Sequence, residues 1–560
     1  MNEKGRRVRR QGLRGVRWVA GAFALWCLLP RPLHAGEEPV RVPTEAVRTI
    51  RQMAIQHNGR HKPFESFARE TVKFITGSDR IEGEEPVVSV LSIIATPEAW
   101  QPRPLIAVPF RPLREAIGLS AKTTHVSYEE LVTTKRLMKM LPAIVAKQQQ
   151  DEKLTMLEQE TMDLFERFVA FSALVEHRLE LVPAPSAGDP SWRSIQRPEG
   201  YSSATQAEIT TAWSAWIMAL RDGPPEVINA TTTQLTRLLV RLNPSAYPPQ
   251  WRLRLEVFYH RFNPFWAARI FYAIAILGLL VALFTVKSQA AVGGLVAFGF
   301  AAAWHLVGIL MRVVIGGRPP VSNFYETMLW LPFVGVVLAF VFERIYRANV
   351  FALAASILAT VTLWLSDTVP LDASIAPVVA VLRSNLWLTI HVLTIVASYG
   401  ALALAVILAH LYGILVLRRM KPAELEALDL FLYRAIQVGV VLLAGGIMLG
   451  AVWANASWGR YWGWDPKETW ALITLLWFLA SLHGRFAGWL KGVGFALTTI
   501  AGFFLLLMTY YGVSFYLVGL HSYAGGHAKP LPPLLIVYGI AEFLFMALVA
   551  LTAARRQRPA

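Results

Sequence analysis

The chain has 560 residues, with 54 Lys and Arg against 38 Asp and Glu, a formal net charge of +16, 19 Trp and one Cys. Charged residues make up 16% and hydrophobic ones 54%, against about 25% and 45–50% in soluble globular domains. That apolar excess excludes disorder as the main state and a fully water-solvated enzyme, while the lone Cys27 excludes an internal disulfide framework, an intrachain CxxC pair and a multi-Cys zinc site.

The first residues, MNEKGRRVRRQGLRGVRW, are strongly basic and precede a short apolar run from Val19 to Leu29, with Ala35 as a small cleavage residue. This pattern predicts an export signal over 1–35, either removed or kept as an anchor, because a spanning helix needs about 20 apolar residues. Removal of the signal leaves a mature chain without a thiol. From Gly36 the composition turns polar, and residues 36–263 are predicted to form one exported, mainly helical domain. Helix formers with apolar residues at three-to-four spacing fill Tyr128 to Leu181, including Leu154, Leu157, Met162, Phe165 and Phe168. Further helical patterns run from Ala204 to Leu220 and from Pro225 to Leu242. Leu105–Val108 reads as a short strand, and Pro183–Ser203 as a surface connection.

Residues 264–560 read as an all-α polytopic membrane domain of about nine transmembrane helices, near 265–286, 290–315, 326–342, 348–365, 385–417, 434–453, 469–485, 490–518 and 533–553. With the soluble domain outside, the inward ends carry Lys287, Arg344, Arg347, Arg418, Arg419, Lys421, Arg434, Arg485, Lys491, Arg555, Arg556 and Arg558. The outward loops carry only Arg318, Arg383, Arg460, Lys467 and Lys529. This bias agrees with the export signal and accounts for much of the net charge, so nucleic-acid binding needs no place in the reading.

One outward segment, 453–470, holds Trp453, Trp458, Trp462, Trp464 and Trp470 around Tyr461 and an Asp465-Pro-Lys467-Glu468 turn. Interfacial anchoring accounts for one or two Trp, not five. Such a surface suits a large flat apolar ligand with a polar rim, whose carboxylates Arg460 or Lys467 meets. His391 and His521 sit at the same depth on either side of it, the arrangement expected of trans axial ligands to a haem iron. His483 lies near the inner end of the seventh span, with His410 at similar depth and His305 deeper in the second. A ligand role for His483 implies a second, inner haem position and passage of haem outward. Helix-packing hydrogen bonds compete with ligation for His305 and His410, and turn formation with a propionate contact for Asp465.

In combination these residues resemble the tryptophan-rich "WWD" haem-handling proteins, and specifically the CcsA/ResC members of the System II cytochrome c maturation pathway. Arg312 with Pro320-Val-Ser322-Asn323-Phe-Tyr325-Glu326, His391 with Ser398-Tyr399-Gly400, Trp477 to His483, and Gly519-Leu-His521-Ser-Tyr523 are similar to further segments of that family. In the exported region, Asn58-Gly59-Arg60-His-Lys62-Pro63-Phe-Glu65 to Glu70 and Arg252 to Tyr259 resemble the segment preceding CcsA in CcsB–CcsA fusions. The resemblance to a full fusion does not extend to its N-terminal spans, which are not expected among these residues.

The resemblance implies a holocytochrome c synthase (haem lyase) component of the bacterial inner membrane, its N-terminal domain and WWD loop periplasmic. It would export haem b and present it for thioether attachment to the CxxCH of an apocytochrome c. A ResB/CcsB-like membrane subunit and a thioredoxin-like thiol reductant are the implied partners. His391, His521 and His483 are the implied iron ligands, the second inner ligand coming from the partner, His410 or His305. The Trp residues are the implied haem-binding groups, with Trp462, Trp464 and Asp465 closest to the chemistry. A System I-like haem carrier and a membrane b-type cytochrome are the competing readings.

Overall fold

The computed structural model describes residues 40–150, 152–186, 188–285, 288–369, 371–377, 386–420, 422–521 and 532–557. The expected signal over 1–35 with Cys27, the loop charges Lys287, Arg383, Lys421, Lys529 and Arg558, and Ser522 and Tyr523 lie outside them. Buried apolar side chains form two clusters, one drawn from Ala46 to Leu253 and the other from Tyr259 to Val549.

The first cluster is mainly helical with two small antiparallel hairpins. Pro104–Ala107 pairs with His125–Ser127, one residue ahead of the strand expected at Leu105–Val108. The predicted helices near 204–220 and 225–242 form as Ser203–Asp222 and Pro225–Leu242. The pattern from Tyr128 to Leu181 divides into Tyr128–Thr134, Arg136–Gln149 and Met156–Val175. Lys135 breaks it in a left-handed conformation (φ 53°), and the capping box of Thr155 with Glu158 starts the last helix afresh.

Ala54–His57 and Arg60–Pro63 form the other hairpin around Asn58 and Gly59, both at positive φ, the Asn-Gly signature of a two-residue turn. It delivers Arg60 to Glu256 in a forked pair of hydrogen bonds (2.7 and 2.6 Å), and Ser66 donates to the same carboxylate at 2.6 Å. Glu256 lies on the Gln250–Phe262 helix, which passes through Asn263 (φ 47°) into the first membrane helix, Pro264–Thr285. Two segments of the N-terminal region that share one resemblance thus meet as a buried ion pair just before the first membrane helix.

Eight helices among the described residues are long and apolar enough to cross a membrane, against the nine expected. The difference is Pro466–Phe486. Its 21 residues reach about 30 Å at 1.5 Å per residue, but Lys467, Glu468, Thr474, Ser481, His483 and Arg485 dilute its apolarity. It packs between Pro422–Trp458 and Val493–Leu507. The former is longer than expected and carries Trp453 and Trp458 on its last turns, so only 459–465 of the tryptophan-rich segment is loop. The latter continues through a π-helical turn, Met508–Gly512, into Val513–Tyr516.

Candidate functional site

The signature before the third span builds a buried polar clamp. Asn323 caps the Phe324–Tyr346 helix by accepting the Glu326 amide at 2.8 Å. The Glu326 carboxylate accepts from Arg312 (3.0 Å), Arg318 (2.6 Å) and the Ser322 amide (2.9 Å). Arg312 also donates to Tyr259 Oη at 3.0 Å and to the carbonyls of Ala373 and Ser374 at 3.1 and 3.2 Å. These residues tie the end of the N-terminal region's last helix to the loop at 371–377, and none of them lines the cavity described next.

That cavity encloses about 910 Å³, its open mouth included, and is lined by His391, His521, Tyr461, Trp462, Lys467 and Glu468 over an apolar wall of Val392, Ile395, Val396, Phe324, Tyr399 and Tyr510. The two histidines, 130 residues apart in the numbering, share one space. His391 Nδ1 donates to the Gly446 carbonyl at 2.8 Å, and His521 Nδ1 donates to Asp465 Oδ1 at 2.8 Å. Because a carbonyl and a carboxylate only accept, each ring carries a proton on Nδ1, and in its neutral form the lone pair is on Nε2. An acceptor that fixes Nδ1 in this way orients an imidazole for metal ligation through Nε2.

The tryptophans divide by role. Trp453 is buried and stacks on His391 (centroids 6.3 Å apart, planes 8° apart). Trp458 meets Trp453 edge-on at 4.7 Å and His521 at 5.5 Å, so these two indoles bracket both imidazoles. Trp462 lines the cavity and touches Trp464 edge-on at 5.7 Å. Trp464 is 70% exposed and holds φ at 58°, an uncommon backbone state for a bulky residue. Trp470 does not line the cavity; its carbonyl accepts from Thr474 and Thr509. Arg460 lies over Trp458 at 5.8 Å and 3.7 Å from Glu468.

Asp465 does three things at once. It caps Pro466–Phe486 by accepting the Lys467 amide (2.9 Å), holds the Leu520 amide (2.7 Å) on its other oxygen, and orients His521. Burial opposes its charge, but the His521 hydrogen bond and the two amides prevail and hold its carboxyl below the ordinary range. It therefore stays ionised across neutral pH. Glu468 completes the capping box by accepting the amides of Gly463 (2.8 Å) and Asp465 (3.1 Å).

The remaining histidines lie elsewhere. His483 is exposed near the far end of Pro466–Phe486, about 25 Å from Asp465 by helical rise, with Nδ1 donating to the Leu479 carbonyl (2.8 Å). His305 is fully buried, its nitrogens engaged by Tyr272 Oη (3.2 Å) and the Leu329 carbonyl (3.0 Å). His410 is engaged by the Val406 carbonyl (2.8 Å) and Glu542 (2.6 Å). Neither has a ring nitrogen left, so helix packing describes both in this structure.

Residue reasoning missed Gly446 and Gly450. A Cβ on Gly450 would stand 2.6 Å from His391 Cε1, and one on Gly446 2.8 Å from Ile395 Cδ1. Their spacing of four on a membrane helix was the available signal, since small residues one turn apart let another element approach closely. The π-turn that brings Tyr510 to the cavity left no such mark.

Comparison with known proteins gives the family. The family model described as cytochrome C assembly protein matches residues 321–521. The chain is 32% identical over 510 residues to protein NrfI of Wolinella succinogenes, an alignment covering 85% of this chain and 54% of NrfI. It thus spans about half of that relative. It is 33% identical over 299 residues to the cytochrome c biogenesis protein CcsA of Prochlorococcus marinus strain AS9601, covering 45% of this chain and 95% of that protein. The solved structure of the cytochrome c haem lyase CcmF aligns with 52% of the chain at 14% identity and a TM-score of 0.38, covering 50% of that chain. The chain is a multi-pass membrane protein of the cytochrome c assembly family, related to the CcsA cytochrome c biogenesis proteins and carrying an additional N-terminal region.

Proposed function

We propose that the chain is the haem-handling component of a System II cytochrome c synthase. It takes haem b from the cytoplasmic side, carries it across the bacterial inner membrane, and presents it at the outward cavity for attachment to the CxxCH of an apocytochrome c. The observation that carries this reading is the pair of imidazoles on one aromatic-lined cavity, each with Nδ1 fixed by an acceptor and Nε2 free. His391 and His521 hold the iron, Trp453 and Trp458 keep the two rings in place, and Trp462 with Trp464 lies against the porphyrin at the mouth. The substrate's two thiols add across the vinyl groups, each forming a C–S bond while its proton goes to the other vinyl carbon. The chain's own contribution is to hold and orient the reacting edge.

His483 serves an inner position. Its free Nε2 lies on an exposed stripe with Ile473, Leu476, Trp477 and Ala480, where hydrocarbon offers an imidazole no partner. A ResB/CcsB-like subunit covers this stripe and supplies the second inner ligand. The residues at 36–263 stand on the periplasmic side, where a thioredoxin-like protein keeps the substrate thiols reduced.

The test is the absorption spectrum of the full chain purified with its membrane partner. It is expected to show the bands of a six-coordinate, bis-imidazole b-type haem; a colourless complex refutes the proposal. Asp465→Asn retains the shape of the acid but removes the charge that fixes the His521 tautomer. It is expected to weaken outer-site haem binding by about 10–100-fold, measured by haem titration. Unchanged affinity would show that Asp465 only caps its helix.

A further inference from the structure

Lys467 is a cation built into the wall of an otherwise largely apolar cavity, and nothing in the histidine and tryptophan arrangement requires it there. Its Nζ donates to Ser514 Oγ at 2.8 Å and to the Tyr510 carbonyl at 3.3 Å, both neutral acceptors. An ammonium has three donors, so one remains. No carboxylate lies within 4.0 Å of Nζ among the described residues. The two nearby acids are otherwise engaged: Asp465 by His521, Leu520 and its own helix cap, and Glu468 by two loop amides and Arg460. One further polar pair of the lining is matched internally, Thr327 Oγ1 with Tyr510 Oη at 2.8 Å. A positive charge beside apolar walls with only neutral partners is costly, and an anionic group on the bound ligand relieves that cost.

We propose that Lys467 is the carboxylate anchor of the cavity, gripping a carboxylate at the edge of the bound macrocycle and thereby fixing which edge faces outward. The inference rests on the haem reading given above and adds the ligand's orientation to it. In haem b both propionates leave from one edge of the ring and both vinyls lie away from it. Holding the acidic edge at Lys467 therefore turns the vinyl-bearing side elsewhere, independently of the two axial imidazoles. Lys467 acts on the substrate's rim and the histidines on its iron, so the two contributions separate experimentally.

The experiment titrates the full-length chain in detergent with haem and, separately, with haem dimethyl ester, which keeps the iron, the ring and the vinyls but has no carboxylates. The wild-type chain is expected to bind haem at least about tenfold more tightly than the ester, the size of a hydrogen bond between charged groups. Lys467→Met is expected to bind both equally, at about the wild-type affinity for the ester and with an unchanged bis-imidazole spectrum. Lys467→Arg, which keeps a cation at the position, is expected to restore the preference and guards against a Met variant that fails to fold. A wild-type chain indifferent to esterification, or a Met variant that keeps the preference, overturns the anchor and leaves the outer haem site standing. A wild-type chain that binds neither compound overturns the haem site itself.

Discussion

A chain with alanine at both His391 and His521 is expected to reach the membrane at normal abundance, bind haem at its outer cavity at least about 100-fold more weakly, and mature no cytochrome c. The two rings stand on separate elements, one in the second turn of Leu386–Leu417 and the other beyond Tyr516, and what they share is their ring contact with Trp453. Each is only partly buried, and each gives up a single hydrogen bond from Nδ1. The effect on folding should accordingly be small beside the loss of both proposed iron ligands. Gly450→Ala reaches the same end without touching a ligand. Its new methyl would overlap the His391 ring, and that ring cannot move without breaking the bond to Gly446 or its stack on Trp453. Loss of the outer haem spectrum in both variants, with protein level maintained, is the expected result. Retention of the spectrum in the double histidine variant would remove the ligand assignment.

The opposite phenotype, loss of the protein rather than of its chemistry, is expected for Glu326→Gln. The glutamate carboxylate and the Arg312 side chain are each 1% exposed, and Arg318 is 10% exposed. Neutralising the acid leaves two guanidinium groups without a counter-charge where water cannot replace it. Breaking a buried pair in this way costs about 3–5 kcal/mol, enough to unfold or clear a marginally stable chain. The measurement is steady-state membrane abundance with the midpoint of thermal unfolding in detergent. The double variant Arg312→Met with Glu326→Met is expected to be milder than Glu326→Gln, because removing two of the partners together leaves less charge stranded.

The sequence carried the membrane helices clearly, since runs such as Val493–Val518 admit no other solution. Trp453, Trp458, Trp462 and Asp465 were visible by their density, and His391 and His521 by their shared depth. Which atoms meet was not visible. The Asp465–His521 bond joins residues 56 apart through a loop whose course depends on tertiary packing, and no local pattern announces it. The Ala54–Pro63 hairpin was signalled by Asn58-Gly59 but masked by the helical character of its surroundings. The expected seventh span, near 469–485, is the helix Pro466–Phe486. Its composition separates it from the other eight, because its exposed and buried faces both carry polar groups.

That last helix has a mechanical consequence. Asp465, which holds His521, caps one end of Pro466–Phe486, and His483 rides near the other. The two positions are thus handles on one stiff rod about 30 Å long. A tilt imposed at either end is transmitted to the other, so under the proposed function lesions that shift this rod should disturb haem loading and delivery together rather than one at a time.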